Sequence, residues 1–180
     1  RSLAFSPDGK WLYLAGYSGI FGGGWGGVAW INAVTRMPYD GSEAPTLWAG
    51  DMAQDKSSSE EGKFRMPTSV CCDASGRVYV SDYLNNRIQV FDPEGKHLKS
   101  IPTPRPAYVA VHQKTGDIYV FSYLMLEKGW NADKQDELDA TTTNLGPFDN
   151  PIVKNKCSLP LTGYNKSTSW NTGSGFQHKI

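Results

Sequence analysis

Residues Met66–Ile101 read MPTSVCCDASGRVYVSDYLNNRIQVFDPEGKHLKSI. Two apolar-alternating runs, Val78-Tyr79-Val80 and Ile88-Gln89-Val90-Phe91, flank a polar loop, Asp82-Tyr83-Leu84-Asn85-Asn86-Arg87. Alternation with period two is the signature of a strand with distinct faces. Asp92-Pro93-Glu94-Gly95 then predicts a tight reversal into a last short strand, His97 to Ile101, because proline fixes φ and glycine accepts positive φ. With the short strand Thr68–Cys72 in front, the stretch reads as one four-stranded antiparallel unit: Thr68–Cys72, Arg77–Ser81, Arg87–Phe91 and His97–Ile101.

The unit recurs on both sides. Ser2–Tyr17 and Ala107–Tyr123 repeat its first half: a short apolar strand, a turn with a glycine (Gly9, Gly76, Gly116), then a strand centred on Tyr13, Tyr79 or Tyr119. The three tyrosines are 66 and 40 residues apart. A recurring unit of this size implies an array of stacked sheets rather than a solitary sheet. The longer first spacing has its excess in Gly- and Ser-rich connections. The first unit is expected to use Leu3–Phe5, Trp11–Ala15, Val28–Ala33 and Thr46–Ala49; the third, Tyr108–Val111 and Asp117–Phe121.

Residues 66–101, with the step Asn86-Arg87-Ile88, resemble an NHL repeat, the unit of a family of β-propellers. The Ser6-Pro7-Asp8-Gly9-Lys10 turn resembles those of other propeller families, WD-type and lactonase-like ones among them. The strong resemblance covers about a fifth of the chain. It implies an all-β fold: an incomplete β-propeller of four-stranded antiparallel blades with long loop insertions. The expected organisation is a first blade at 1–65, an NHL-like blade at 66–101, the inner half of a third blade at 102–123, and an insertion or irregular segment at 124–180. A closed propeller has four to eight blades, so the blade count predicts a fragment of a longer protein. The absence of an initiator Met is in keeping with that expectation, and Gln177-His178-Lys179-Ile180 reads as the start of a further strand.

Lysine plus arginine equals aspartate plus glutamate at 18 each. Phosphate neutralisation drives nucleic-acid affinity and needs a basic stripe, so the balance argues against nucleic acid. No 18-residue apolar run is present, and no membrane span is expected. Cys71 and Cys72 are neighbours on one strand, so their side chains point to opposite faces and a disulfide between them is geometrically disfavoured. With Cys157 they make an odd count without metal-type spacing. Asn165-Lys166-Ser167 is a formal glycosylation sequon.

In a propeller the b–c and d–a connections emerge on one face, the mouth. Ser18–Gly27 and the segment from Leu124 fall on b–c connections, and Asp51–Arg65 on a d–a connection. All the elaboration is therefore expected on the mouth. The glycines of Gly22–Gly27 lack the Gly-Lys-Ser/Thr of a phosphate loop and are read as letting backbone approach Trp25. Glu127–Leu138 is expected to form a short helical cap anchored by Trp130, Asn144–Pro147 and Asn150-Pro151 to form turns, and Asn171–Gly175 to be flexible.

Tyr17, Tyr83 and Tyr123 each lie four residues beyond a strand-b tyrosine, at the mouth. Two readings stand: their rings stack on a sugar, ring or cation of a ligand, or they pack between blades with each hydroxyl reaching a neighbouring loop. Asp82, Asn85 and Arg87 resemble a catalytic or metal cluster in isolation; within the NHL pattern they read as satisfying loop backbone, with Asp82 paired to an arginine. His97, His112 and His178 are not expected to converge. Some NHL-like propellers are metal-dependent lyases or lactonases, but strands a here carry Leu3, Phe5, Ser69 and Val109 rather than ligands. The expected function is a non-catalytic scaffold for a protein, small-molecule or carbohydrate ligand, without a cofactor, in a secreted, periplasmic or cell-surface protein. The alternative is a fragment of a propeller hydrolase or lyase with a central Ca or Zn ion.

Overall fold

The structure is a computed structural model that describes residues 2–20, 28–53, 56–123 and 140–159, with backbone alone at 17–20, 28–30 and 158–159. The described strands form three four-stranded antiparallel sheets, each a meander in which sequential strands are neighbours. Blade 1 comprises β1 (Ser2–Phe5), β2 (Trp11–Ile20), β3 (Val28–Pro38) and β4 (Thr46–Asp51). Blade 2 comprises β5 (Pro67–Cys72), β6 (Val78–Asp82), β7 (Arg87–Phe91) and β8 (His97–Pro102). Blade 3 comprises β9 (Pro106–Val111), β10 (Asp117–Ser122), β11 (Ala140–Pro147) and β12 (Asn155–Leu159). The three innermost strands lie side by side, with β5 between β1 and β9. The array is an open set of propeller blades.

The sheets stack because each strand alternates apolar side chains to both faces. Tyr13, Ala15, Val34 and Ala49 of blade 1 pack on Val70, Cys72, Val78, Val80 and Phe91 of blade 2. On the other face of blade 2, Tyr79, Ile88, Val90 and Ile101 pack on Val109, Val111, Ile118 and Val120 of blade 3. Full burial of one such side chain contributes about 1.5–3 kcal/mol. Cys71 and Cys72 are divided between these two cores and are free thiols. Burial pushes the Cys72 thiol up to about 12 and raises the Cys71 thiol further. Both are inert packing groups.

Turn chemistry fixes the registers. Gly9, Gly76 and Gly116 all adopt positive φ, and the first two close their turns by donating to Ser6 and Asp73 carbonyls. The c–d turn Asp92–Gly95 forms as its composition predicts, with Gly95 at φ 94° donating to the Asp92 carbonyl.

The structure departs from the sequence reading in the third blade. That reading ended the blade at Tyr123 and left 124–180 irregular, whereas β11 pairs with β10 and β12 with β11, completing four strands. The outer strands escaped notice because ATTTNLGP and NKCSL are largely polar and carry little apolar alternation. Asn144–Pro147, expected as a turn, is the end of β11; Gly146 takes φ 76° there, and the turn follows at Pro147–Asn150. In blade 1 the predicted loop from Ser18 is strand as far as Ile20, paired with Val28–Trp30. Trp25, the 127–138 cap with Trp130, the sequon at Asn165, Asn171–Gly175 and the strand start at Gln177 lie outside the described residues. The only helical element described is a 3-10 turn, Tyr83–Asn85.

Candidate functional site

Three connections meet on the mouth: 52–66 between blades 1 and 2, Tyr83–Asn86 within blade 2, and 103–105 between blades 2 and 3. Asp82, at the end of β6, organises them. Its Oδ1 accepts from the Arg65 backbone N–H at 2.7 Å, and its Oδ2 from Asn85 Nδ2 at 2.9 Å, Arg87 Nε at 2.8 Å and Gln89 Nε2 at 3.1 Å. A buried carboxylate is tolerated only when paired and hydrogen-bonded, and Asp82 meets both conditions.

Its partners carry the same network onto the d–a loop. Asn85 Nδ2 donates to the Ser58 carbonyl, Arg87 Nη2 to the Glu60 and Lys63 carbonyls, and Gln89 Nε2 to Lys63. Gln89 Oε1 accepts from the Gly62 N–H at 2.9 Å. Loop 58–65 is thus stitched to blade 2 by side chains of β6, β7 and the 3-10 turn. The Asp82, Asn85 and Arg87 group, legible in sequence as a loop brace, performs that role; Gln89 was missed because it reads as one polar residue inside an apolar strand.

A second device is made twice. Met66 and Arg105, each preceding the first proline of a strand a, adopt positive φ of 63° and 42°. Asn32 Oδ1 accepts from the Met66 N–H at 2.7 Å, and Asn86 Oδ1 from the Arg105 N–H at 2.9 Å. One blade's asparagine therefore holds the backbone that opens the next blade in a conformation non-glycine residues seldom adopt. No local sequence signal marks Asn32 for this, since its partner lies 34 residues away.

The sequence-predicted tyrosines separate. Tyr83 is buried, and its hydroxyl donates to the Tyr123 carbonyl of blade 3 at 3.0 Å. Its ring is packed between blades and has no open face for stacking. Tyr123 is partly exposed, its ring 5.3 Å from that of Phe121. Tyr17 lies in β2 opposite Ile31; its side chain is outside the described residues. His97 packs edge-on to Phe91 in β8, and His112 sits in the β9–β10 turn beside Thr115, so these two do not meet. His178 lies outside the described residues.

A cleft of about 270 Å³ opens between blade 1 and the braced loop, lined by Asn32, Asp51, Lys56, Glu60, Lys63 and Phe64 among others. Its charges are mixed, which suits a polar partner of no single sign. Among the described residues no three His, Cys, Asp or Glu side chains converge as metal ligands, and Asp82 already accepts four donors. No helix among the described residues is long and apolar enough to cross a membrane.

The braced loop, Asp82 and β7 fall within a segment that matches a known repeat. Residues 64–91 match the NHL repeat. Over 36 residues the chain is 50% identical to Protein wech of Drosophila melanogaster, which is 20% of this chain and 4% of that protein. The chain is similar in structure to hydrazine synthase of Kuenenia stuttgartiensis (TM-score 0.55, 14% identity, 88% of this chain and 36% of that one). It is also similar to the calcium-binding protein regucalcin of Agrobacterium tumefaciens (TM-score 0.52, 16% identity, 86% of this chain and 49% of that one). A luciferin-regenerating enzyme gives TM-score 0.52 at 16% identity, over 86% of this chain and 48% of that one. At such identities the likeness establishes the propeller fold. The chain spans less than half the length of each of these proteins.

Proposed function

We propose that this propeller segment is a non-catalytic scaffold that binds a protein partner at its mouth. The observation that carries the reading is the use made of Asp82. The most buried carboxylate of the mouth has donors on both oxygens, all from its own chain. Three of those donors crowd Oδ2 and one holds Oδ1, and the side chain has no exposed surface; we read it as a brace that holds loop 58–65 still rather than as a base or a metal ligand. The connection 56–65 in turn displays Lys56, Ser57, Glu60, Glu61 and Arg65 to solvent, and Lys56, Ser57 and Glu60 line the cleft. Fixing such groups before binding lowers the ordering cost of association, and mixed charges favour selectivity for a partner of matching pattern.

The test uses phage-displayed peptides selected on the 1–180 chain. Selected peptides are expected to lose at least tenfold in affinity to the Lys56→Glu, Arg65→Glu double variant, whose melting temperature stays at the wild-type value; tenfold corresponds to about 1.4 kcal/mol. Equal binding to both forms would place the site elsewhere. Lactone hydrolysis that requires added Ca or Zn ions would overturn the non-catalytic reading, and selective capture of a glycan with no peptide bound would replace the protein partner by a carbohydrate.

A further inference from the structure

Asn32 lines the cleft between blade 1 and the braced loop and is only 4% exposed, the position of a floor. Its Oδ1 takes the Met66 N–H at 2.7 Å, and that bond fixes which end of the amide is the oxygen. The other end, Nδ2, has no acceptor among the described residues. It is not sealed off, because Ser81 Oγ is the one fully buried side-chain polar atom without a partner among those residues. Nδ2 is therefore a free donor that opens into the cleft. Asn86, which makes the same bond to Arg105 at the next joint, is exposed. Of these two joints, only the first sets a buried amide under a cavity.

An acceptor stands next to that donor. Asn32 and Asp51 are direct cross-strand partners in β3 and β4, and such partners project from the same face of a sheet. Asp51 Oδ1 accepts from the Ala53 N–H at 2.8 Å, while Oδ2 has no donor among the described residues. The cleft selects against a charged guest of either sign, since a carboxylate would meet Asp51 and Glu60 and a cation would meet Lys56 and Lys63. Lys63 is held there by its Nζ, which donates to the Gly50 carbonyl at 3.2 Å. Phe64 is buried with its ring against Phe91, so it offers no open aromatic face for a sugar.

We infer that the cleft receives the side-chain carboxamide of a glutamine or asparagine on the protein partner. The carboxamide oxygen accepts from Asn32 Nδ2, and its NH2 donates to Asp51 Oδ2. A primary carboxamide carries an oxygen and an N–H side by side on one edge, which is what two neighbouring side chains on one sheet face require. A backbone peptide group is trans and turns its N–H and C=O to opposite sides, so it serves one of the two groups at a time. An alkyl side chain would leave both without partners, and a site built to hydrogen-bond its guest rejects such an analogue strongly. This inference rests on the reading of the mouth as a protein-binding surface and adds which residue of the partner is selected.

Phage-displayed peptides with randomised flanks and a central residue held in turn as Gln, Asn, Glu, Lys or Met test it. Each library is selected on the 1–180 chain, and its best peptide is measured by fluorescence polarisation. The Gln or Asn peptide is expected to bind about tenfold more tightly than the Glu, Lys and Met peptides. Asp51→Asn keeps the oxygen that accepts from Ala53 and turns the free acceptor into a donor, so preference is expected to pass to Glu. Circular dichroism checks that this variant folds; if it does not, the order of the peptides on the wild type decides alone. A Met or Glu peptide equal to the Gln and Asn peptides on the wild type, or an order that folded Asp51→Asn leaves unchanged, would overturn the inference. Peptides that all bind alike yet weaken on the Lys56→Glu, Arg65→Glu double variant would overturn it alone and leave the protein-binding reading standing. Failure of every library would take both down.

Discussion

Asp82→Ala removes at one stroke the acceptor for four donors. A hydrogen bond to a charged group is worth about 1.5–3 kcal/mol, but four on one carboxylate belong to a single network and do not add. The better guide is the cost of breaking a buried ion pair from one side, about 3–5 kcal/mol. Asp82 has no exposed side-chain surface and Arg87 only 14%, so the variant falls in that class, and a loss of about 4 kcal/mol is expected. Against the 5–15 kcal/mol typical of a folded domain, that is a large share. Asp82→Asn keeps the shape but turns an NH2 donor toward other donors; about 2 kcal/mol is expected there. The assay is urea unfolding followed by tryptophan fluorescence at fixed protein concentration. Amide exchange at 58–66, the loop the carboxylate braces, provides a local readout. An Asp82→Ala variant within about 1 kcal/mol of wild type, with unaltered exchange in 58–66, would show that the network carries no weight and would remove the basis for a rigid mouth.

Tyr83→Phe deletes only the hydroxyl that reaches the Tyr123 carbonyl and is expected to cost about 0.5–1.5 kcal/mol, whereas Tyr83→Ala opens a cavity and costs about 3–5 kcal/mol; melting curves of the pair separate the hydrogen bond from the packing. Gly50→Ala is expected to cost more than about 1 kcal/mol, because Gly50 sits at φ 94° and a Cβ there would collide with the Asn32 carbonyl and the Phe64 ring; denaturant midpoints check it. The hydrogen bond from Lys154 Nζ, with support from Asn144, holds the Asp117 carboxyl below its usual range. A depressed folded pKa gives stability that is present above the unfolded value, about 3.9, and is lost as pH falls through the folded one. Asp117→Asn is therefore expected to flatten the loss of melting temperature below pH 4, and an unchanged acid limb would refute the pairing.

The middle blade was legible almost residue by residue, because all four of its strands are buried on two faces or bounded by Gly and Pro turns. β7 was read as Arg87–Phe91 and is Arg87–Phe91. The outer half of blade 3 was not legible: Thr141, Thr142 and Cys157 lie on strands with one face in solvent, where selection for alternation is weak. Within the site, the Asp82–Arg87 pair was readable because the two residues flank one short loop. The Asn32–Met66 and Asn86–Arg105 contacts were not, since each joins backbone to side chain across blades and leaves no periodic trace. The strand-b tyrosines were recognised as a repeat, but only coordinates show that they all point the same way.

The asparagine joints bear on how such a chain gains and loses length. Asn32 with Met66 and Asn86 with Arg105 are one coupling cast twice, and blade 2 carries both the giving and the receiving half. A duplicated sheet spliced in at the Pro67 or Pro106 seam would find on either flank the groups it requires. Gene duplication can therefore lengthen this architecture one sheet at a time, without redesign of any existing seam.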